Sequence, residues 1–254
     1  MPPPLYTVKN LGKVFPPGGF QALSGINLDI HSGECVLAAG SNGSGKTLLM
    51  RMLAGLLDPT EGEILFYGKP LSKNLGKLRR EVGLIFQDAD AQFVGETAAE
   101  DIAFGPKNLG LSREEITARV EAALAALDLG AKRDFPPRLL SGGEKRRLAA
   151  AGVLAMGCHT VILDEPFANL DWPGVVQTLK IIGDLKKGGK TVILLTHELE
   201  KALALADRLI ILHRGSVRDD GNPEDVLNRL DPAWGVRDPR RNYSRVEDCS
   251  WLPE

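Results

Sequence analysis

The sequence predicts an α/β fold built on a mainly parallel sheet, and three observations carry that expectation. Short apolar strands and helical runs alternate through the second half of the chain. A glycine-rich turn joins a strand directly to a helix near residue 40, and a helix of several turns separates the strand-rich first third from the alternating part.

The first third reads as short strands at residues 5–9, 26–30, 35–39, 64–67 and 82–86, bounded by Gly, Pro, Asn and Asp, which favour turns. From Ser112 the period changes. Ile116, Val120, Ala123, Leu124 and Leu127 recur at helical spacing, and Ser112 with Glu115 forms a capping box, so the spacing predicts a helix of about four turns. Beyond it, strands at 161–163, 192–195 and 209–212 alternate with helices around 175–186 and 198–206, the order expected of βαβ units. From about Ala233 the residues Trp234, Arg237, Arg240, Arg241 and Tyr243 follow neither period, so 233–254 is expected to be a short irregular extension after a domain over 1–232.

Composition narrows the classes. With 254 residues, 43% hydrophobic and 25% charged, the chain can bury a large core as an ordinary globular protein. A net charge of -2 argues against a surface made to neutralise a nucleic-acid backbone, so no nucleic-acid partner is expected. Cys35, Cys158 and Cys249 form no C-x-x-C pair, which speaks against a disulfide framework or zinc site and for a reducing compartment. No apolar run approaches the roughly 18–20 residues that span a bilayer, and the first residues lack a signal-peptide core. A membrane role would come through a partner.

Gly40-Ser41-Asn42-Gly43-Ser44-Gly45-Lys46-Thr47 matches G-x-x-x-x-G-K-[ST] between the strand at 35–39 and a helical run expected over 48–57. Glycines let the backbone curl so that N–H groups from Ser41 to Leu48 face an anion, and the following helix adds its positive end. Lys46 would reach the β- and γ-phosphates and Thr47 would hold Mg²⁺. This loop alone leaves GTPases, kinases, helicases and transport ATPases open.

The strand at 161–163 runs into Asp164 and Glu165, placing both carboxylates at the carboxyl edge of the sheet, where open α/β folds bind ligands. Asp164 suits Mg²⁺ held through water, and Glu165 suits polarising a water for attack on the γ-phosphate. Leu140-Ser141-Gly142-Gly143-Glu144 opens a helical stretch over 145–156 and offers a second anion site: a hydroxyl cap and two glycines at a positive helix end.

With that last motif the chain resembles the ATPases of ABC transporters, over roughly residues 5–230. The resemblance implies that ATP and Mg²⁺ are bound, and that Ser141, Gly142 and Gly143 face the ATP on the P-loop of a second subunit. One set of motifs is therefore half of a homo- or heterodimer. By the same resemblance Phe15 stacks on adenine, Gln87 contacts Mg²⁺ and the attacking water and senses the membrane partner, Asp171 belongs to the dimer interface, and His197 contacts the γ-phosphate. It also implies a P-loop ATPase core with an N-terminal antiparallel β subdomain and an inserted helical subdomain over about 98–157, cytoplasmic and held on the inner face of the membrane by transmembrane subunits.

Gln87 to Phe93, Glu100-Asp-Ile-Ala-Phe-Gly105-Pro106 and Asn108-Leu-Gly110 resemble the ATPases of energy-coupling-factor importers for vitamins, cobalt and nickel. The departures are Asp88-Ala89 where those ATPases usually carry Asn-Pro, and a shorter C-terminal region. Acids at Asp88, Asp90, Glu96, Glu100 and Asp101 are expected to meet an arginine of the membrane subunit. A soluble non-transport ABC ATPase, as in iron–sulfur assembly, is the alternative. A GTPase would need an Asn-Lys-x-Asp motif, and none occurs.

Overall fold

A computed structural model describes residues 3–88 and 90–240. Ala89, the side chain of Asp90, Arg241, Tyr243 and Cys249 lie outside the described residues.

The N-terminal strands β1 (Tyr6–Phe15) and β2 (Phe20–Ile30) form a long hairpin and precede β3 (Cys35–Ala39) and helix α1 (Lys46–Leu53). Then come β4 (Glu61–Phe66), β5 (Lys69–Pro70), α2 (Leu75–Glu81) and β6 (Val82–Ile85). Helices α3 (Ala98–Asn108), α4 (Arg113–Ala126) and α5 (Gly142–Met156) follow without an intervening strand. The alternating part is β7 (Thr160–Asp164), α6 (Trp172–Lys187), β8 (Thr191–Thr196), α7 (Leu199–Ala202), β9 (Arg208–His213), β10 (Ser216–Gly221) and α8 (Pro223–Asn228).

Two sheets result. One is antiparallel with order β2-β1-β4-β5, and the other has order β10-β9-β3-β8-β7-β6. In the larger sheet β9, β3, β8, β7 and β6 run parallel, and only β10 is antiparallel. Strands β3, β7 and β8 are buried at every position, as a parallel sheet covered on both faces requires. Alternate residues feed two cores: Val36, Ala38, Ile193 and Leu195 pack with α1 and the antiparallel sheet, while Leu37, Ala39, Val192 and Leu194 pack with α3, α4, α5 and α6. Burial pushes the thiols of Cys35 and Cys158 up to about 11, which leaves both as inert core residues.

Several elements differ from the sequence expectation. Helix α1 starts at Lys46 and stops at Leu53 instead of running over 48–57, because Gly55 adopts φ +66° just beyond the Ala54 cap and its missing side chain leaves room for Leu75 and Leu78. The helix expected over 198–206 is one α turn followed by a 3-10 turn, Leu203–Leu205. Strands β5 and β10 and helices α2 and α8 were not foreseen. A 3-10 turn, Pro232–Trp234, crosses the expected boundary at residue 232.

This topology decides where chemistry can sit. The turns after β3, β8, β7 and β6, four adjacent parallel strands, carry the P-loop, His197, Glu165 and Gln87 at one sheet edge.

Candidate functional site

The glycines of the P-loop are required by contact and by backbone conformation. A Cβ at Gly40 would stand 2.3 Å from the Leu212 carbonyl oxygen, and one at Gly45, where φ is +105°, would stand 2.4 Å from Leu23 Cδ2. The loop curls around Lys46, which is 5% exposed and donates from Nζ to the carbonyls of Gly40 at 2.7 Å and Ser41 at 3.3 Å. Its Nζ also lies 3.4 Å from Glu165 Oε1. Thr47, one residue on, donates its hydroxyl to Asp164 Oδ2 at 3.0 Å. Burial pushes the Asp164 carboxyl above its usual range, with the Thr47 hydrogen bond opposing.

Glu165 leaves β7 at φ +46°, an uncommon conformation for a residue with a side chain. Its N–H donates to the Leu195 carbonyl at 2.7 Å, so the turn is anchored on β8. Its Oε2 accepts from the Thr196 hydroxyl at 2.9 Å, the His197 N–H at 3.3 Å and His197 Nδ1 at 3.0 Å. The carboxylate accepts, so His197 carries a proton on Nδ1. Thr196 is a site residue the sequence reading missed; the signal was a threonine at a strand end beside a histidine.

A cleft of about 350 Å³ is lined by the loop from Asn42 to Leu48 together with Gln87, Glu165, His197 and Phe20. Within it the Ser44 Oγ is buried with no hydrogen-bond partner, a donor that an anionic oxygen would satisfy. A curled loop of N–H groups, a buried ammonium and an unsatisfied hydroxyl fit a polyphosphate. The Thr47 hydroxyl and Asp164 carboxylate form an oxygen-only pair of the kind Mg²⁺ takes when phosphates and water complete its shell.

The structure thus joins the P-loop, Thr47, Asp164, Glu165, His197 and Gln87. It does not bring the remaining expected residues into the cleft. The aromatic residue lining it is Phe20, 70% exposed, and not its cross-strand partner Phe15, beside which Lys13 sits 5.4 Å from the ring centre. Asp171 caps α6 by accepting from the Gly174 N–H at 3.0 Å. Ser141 caps α5 in a reciprocal box: its N–H donates to Glu144 Oε2 at 2.7 Å and its Oγ accepts from the Glu144 N–H at 3.3 Å. The first of these bonds holds the Glu144 carboxyl below the usual range. A Cβ at Gly142 would meet nothing within 4 Å, so the start of α5 is open to an incoming group but stands apart from the chain's own P-loop cleft. Arg146 ties α5 to the Ala168 carbonyl, linking this helix to the segment that holds Asp171.

Comparison with known proteins gives a consistent picture. The family described as ABC transporter matches residues 23–168. A putative ABC transporter ATP-binding protein of Halobacterium salinarum is 45% identical over 92% of this chain and 100% of its own length. The energy-coupling factor transporter ATP-binding protein EcfA of Methanocaldococcus jannaschii is 41% identical over 85% of this chain and 78% of its own. The cobalt import ATP-binding protein CbiO of Rhodobacter capsulatus is 43% identical over 89% and 81%. Among solved structures, a CbiO protein of Clostridium perfringens, described as part of the ABC transporter complex cbiONQ, superposes with a TM-score of 0.80 and 36% identity, covering 89% of this chain and 91% of that one.

Proposed function

The chain belongs to the ABC transporter family, and from that premise we propose that it is the ATP-hydrolysing subunit of an energy-coupling-factor-type importer. The observation that carries the reading is a P-loop cleft that has its own carboxylates but whose lining includes none of Ser141, Gly142 and Gly143 at the capped start of α5.

In this reading the triphosphate lies along residues 41–48, with Lys46 on the β- and γ-phosphates and the Ser44 hydroxyl on a phosphate oxygen. Thr47, Asp164 and Gln87 would hold Mg²⁺, which when bound would supply positive charge beside the phosphates. Glu165, fixed by Thr196 and the His197 N–H, accepts the hydrogen bond of the attacking water; the His197 and Gln87 side chains, which line the same cleft, orient the γ-phosphate and that water. Ser141, Gly142 and Gly143 of a second copy close the cleft from the other side, with Asp171 at the seam. Phe20 joins Phe15 as a candidate face for the adenine ring.

Among the described residues no helix is long and apolar enough to cross a membrane. The membrane subunit is assigned to a groove of about 270 Å³ between the segment after β6 and the helical part at 98–157, lined by Leu56, Val94, Phe104 and Met156. The chain would then sit on the inner membrane face through that partner.

Glu165→Gln tests the core of this reading. The amide cannot polarise water as a carboxylate does, so turnover should fall at least roughly 100-fold while ATP still binds. Size-exclusion chromatography with Mg-ATP should then show a trapped dimer. A variant with near-normal turnover, or one that stays monomeric with bound ATP, counts against the assignment.

A further inference from the structure

Residues 231–240 follow α8 and lie beyond the residues that match the ABC transporter family. The segment is pinned at several points. Asp231 accepts the Ala233 N–H at 2.8 Å, and the N–H groups of Trp234 and Gly235 donate to the carbonyls of Asp231 and Pro232 at 3.0 Å each, which closes a tight turn. On β9, His213 Nδ1 lies 3.0 Å from the Trp234 carbonyl, and because a carbonyl only accepts, Nδ1 bears the proton. Trp234 and Val236 pack on the core beneath the larger sheet. At the far end Arg240 donates to Glu224 Oε1 at 2.6 Å and Asn228 Oδ1 at 2.8 Å, fastening the segment to α8.

Between these anchors the backbone passes against the P-loop. Gly235 has φ +70°, and a Cβ there would stand 3.3 Å from Ser41 Cβ and 3.5 Å from Ser41 Oγ. Glycine is therefore favoured both by conformation and by close approach. The Ser41 carbonyl accepts in turn from Lys46 Nζ at 3.3 Å and from the Ser44 N–H at 3.1 Å. Hydrogen bonds thus join His213 to Trp234 on one side and Lys46 to Ser41 on the other, and Gly235 stands beside Ser41 with little more than the space of a methyl group between them.

We propose that residues 231–240 act as a strap that holds the P-loop in its anion-ready curvature, with Gly235 and His213 as positioning residues for Ser41 and Lys46. A loop rich in glycine pays an ordering cost when it closes on phosphate, and a fixed neighbour lowers that cost before the ligand arrives. The coupling is reciprocal, so bound ATP must steady the strap as much as the strap favours ATP. The inference rests on the cleft being the ATP site.

The full chain provides the test. Gly235→Val should raise KM for ATP about tenfold with a smaller change in kcat, since the strap bears first on the loop that receives the phosphates. A merely destabilised chain would instead lose kcat per mole of protein with KM unmoved. His213→Ala removes one hydrogen bond and should raise KM roughly three- to tenfold, whereas His213→Asn, whose amide nitrogen can stand near the place of Nδ1, should restore it. In the unsubstituted chain, hydrogen exchange at the Trp234 and Gly235 amides should slow when ATP is added. An unchanged KM in both Gly235→Val and His213→Ala, or exchange at those amides indifferent to ATP, overturns the strap. Absence of ATP binding by the unsubstituted chain would overturn the site reading itself, and the strap with it.

Discussion

Asp164 and Glu165 are neighbours in sequence but meet the cleft under different constraints. Glu165 is held by three donors and by the Lys46 ammonium. Asp164 faces mainly the Thr47 hydroxyl while burial raises its pKa. A carboxyl with a raised folded-state pKa binds its proton more tightly in the fold than in the open chain. Its effect therefore erodes stability as pH rises from the unfolded pKa through the folded one, and the erosion is complete above the latter. Asp164→Asn, whose amide oxygen still accepts from Thr47, should accordingly raise Tm at pH 7. The gain should shrink as the pH is lowered through the carboxylate range, while Mg²⁺-dependent hydrolysis is lost at every pH. Thermal melts of both proteins without nucleotide check this, and a lower Tm in the variant at pH 7 would show that the charge is a net stabiliser.

At the scale of elements, α5 and the P-loop each present the positive start of a helix, and no residue of the α5 start lines the P-loop cleft. Ser141→Arg fills the α5 start and removes a hydroxyl cap, a loss of about 1 kcal/mol, without touching the P-loop. It should bind nucleotide as a monomer and fail to hydrolyse it. Lys46→Ala should fail earlier, because on the proposed reading it strips the ammonium that meets the phosphates, and it leaves Glu165 buried without its cation. Titration with a fluorescent nucleotide separates the two, and equal loss of binding would refute action in trans.

The same elements show what the sequence made legible. β3 lies where its apolar run ended, because burial on both faces and flanking glycines leave few alternatives, and α4 starts just after Ser112, where the capping box placed it. β10 escaped notice because Ser-Val-Arg-Asp-Asp-Gly has no strand pattern of its own and is recruited by pairing with β9. Phe20 escaped because nothing in the spacing of Phe15 and Phe20 says which ring a bulged hairpin turns toward the cleft.

For the whole molecule, the question is how a membrane subunit would feel the cleft, and the structure alters which residues should matter. The acids expected to meet a partner arginine are partly committed to the chain's own backbone: Asp101 Oδ1 accepts from the Val94 N–H at 2.8 Å and the Gly95 N–H at 3.0 Å, and Glu100 Oε2 accepts from the Glu96 N–H at 3.2 Å. A Cβ at Gly95 would stand 2.3 Å from the Asp101 nitrogen, so the turn is packed onto the start of α3. Reversing Asp101 to lysine would therefore unravel the turn and could not report docking by itself. What the groove offers a partner is apolar: Val94 is 61% exposed and Phe104 49%, with Leu56 beside them at 57%. Such a patch with a charged rim suits an amphipathic helix, whose anchors carry most of the binding energy. Phe104→Asp should weaken capture of the membrane subunit at least about tenfold, because a carboxylate would have to be buried without a partner. Its ATP affinity should stay within about twofold of the unsubstituted chain, since Phe104 lines the groove and not the phosphate cleft. Pull-down of the co-expressed complex in detergent and ATP titration of the isolated chain read the two quantities separately. Undiminished capture would move the docking surface elsewhere, and a large loss of ATP affinity would mean that groove and cleft are coupled in the free subunit.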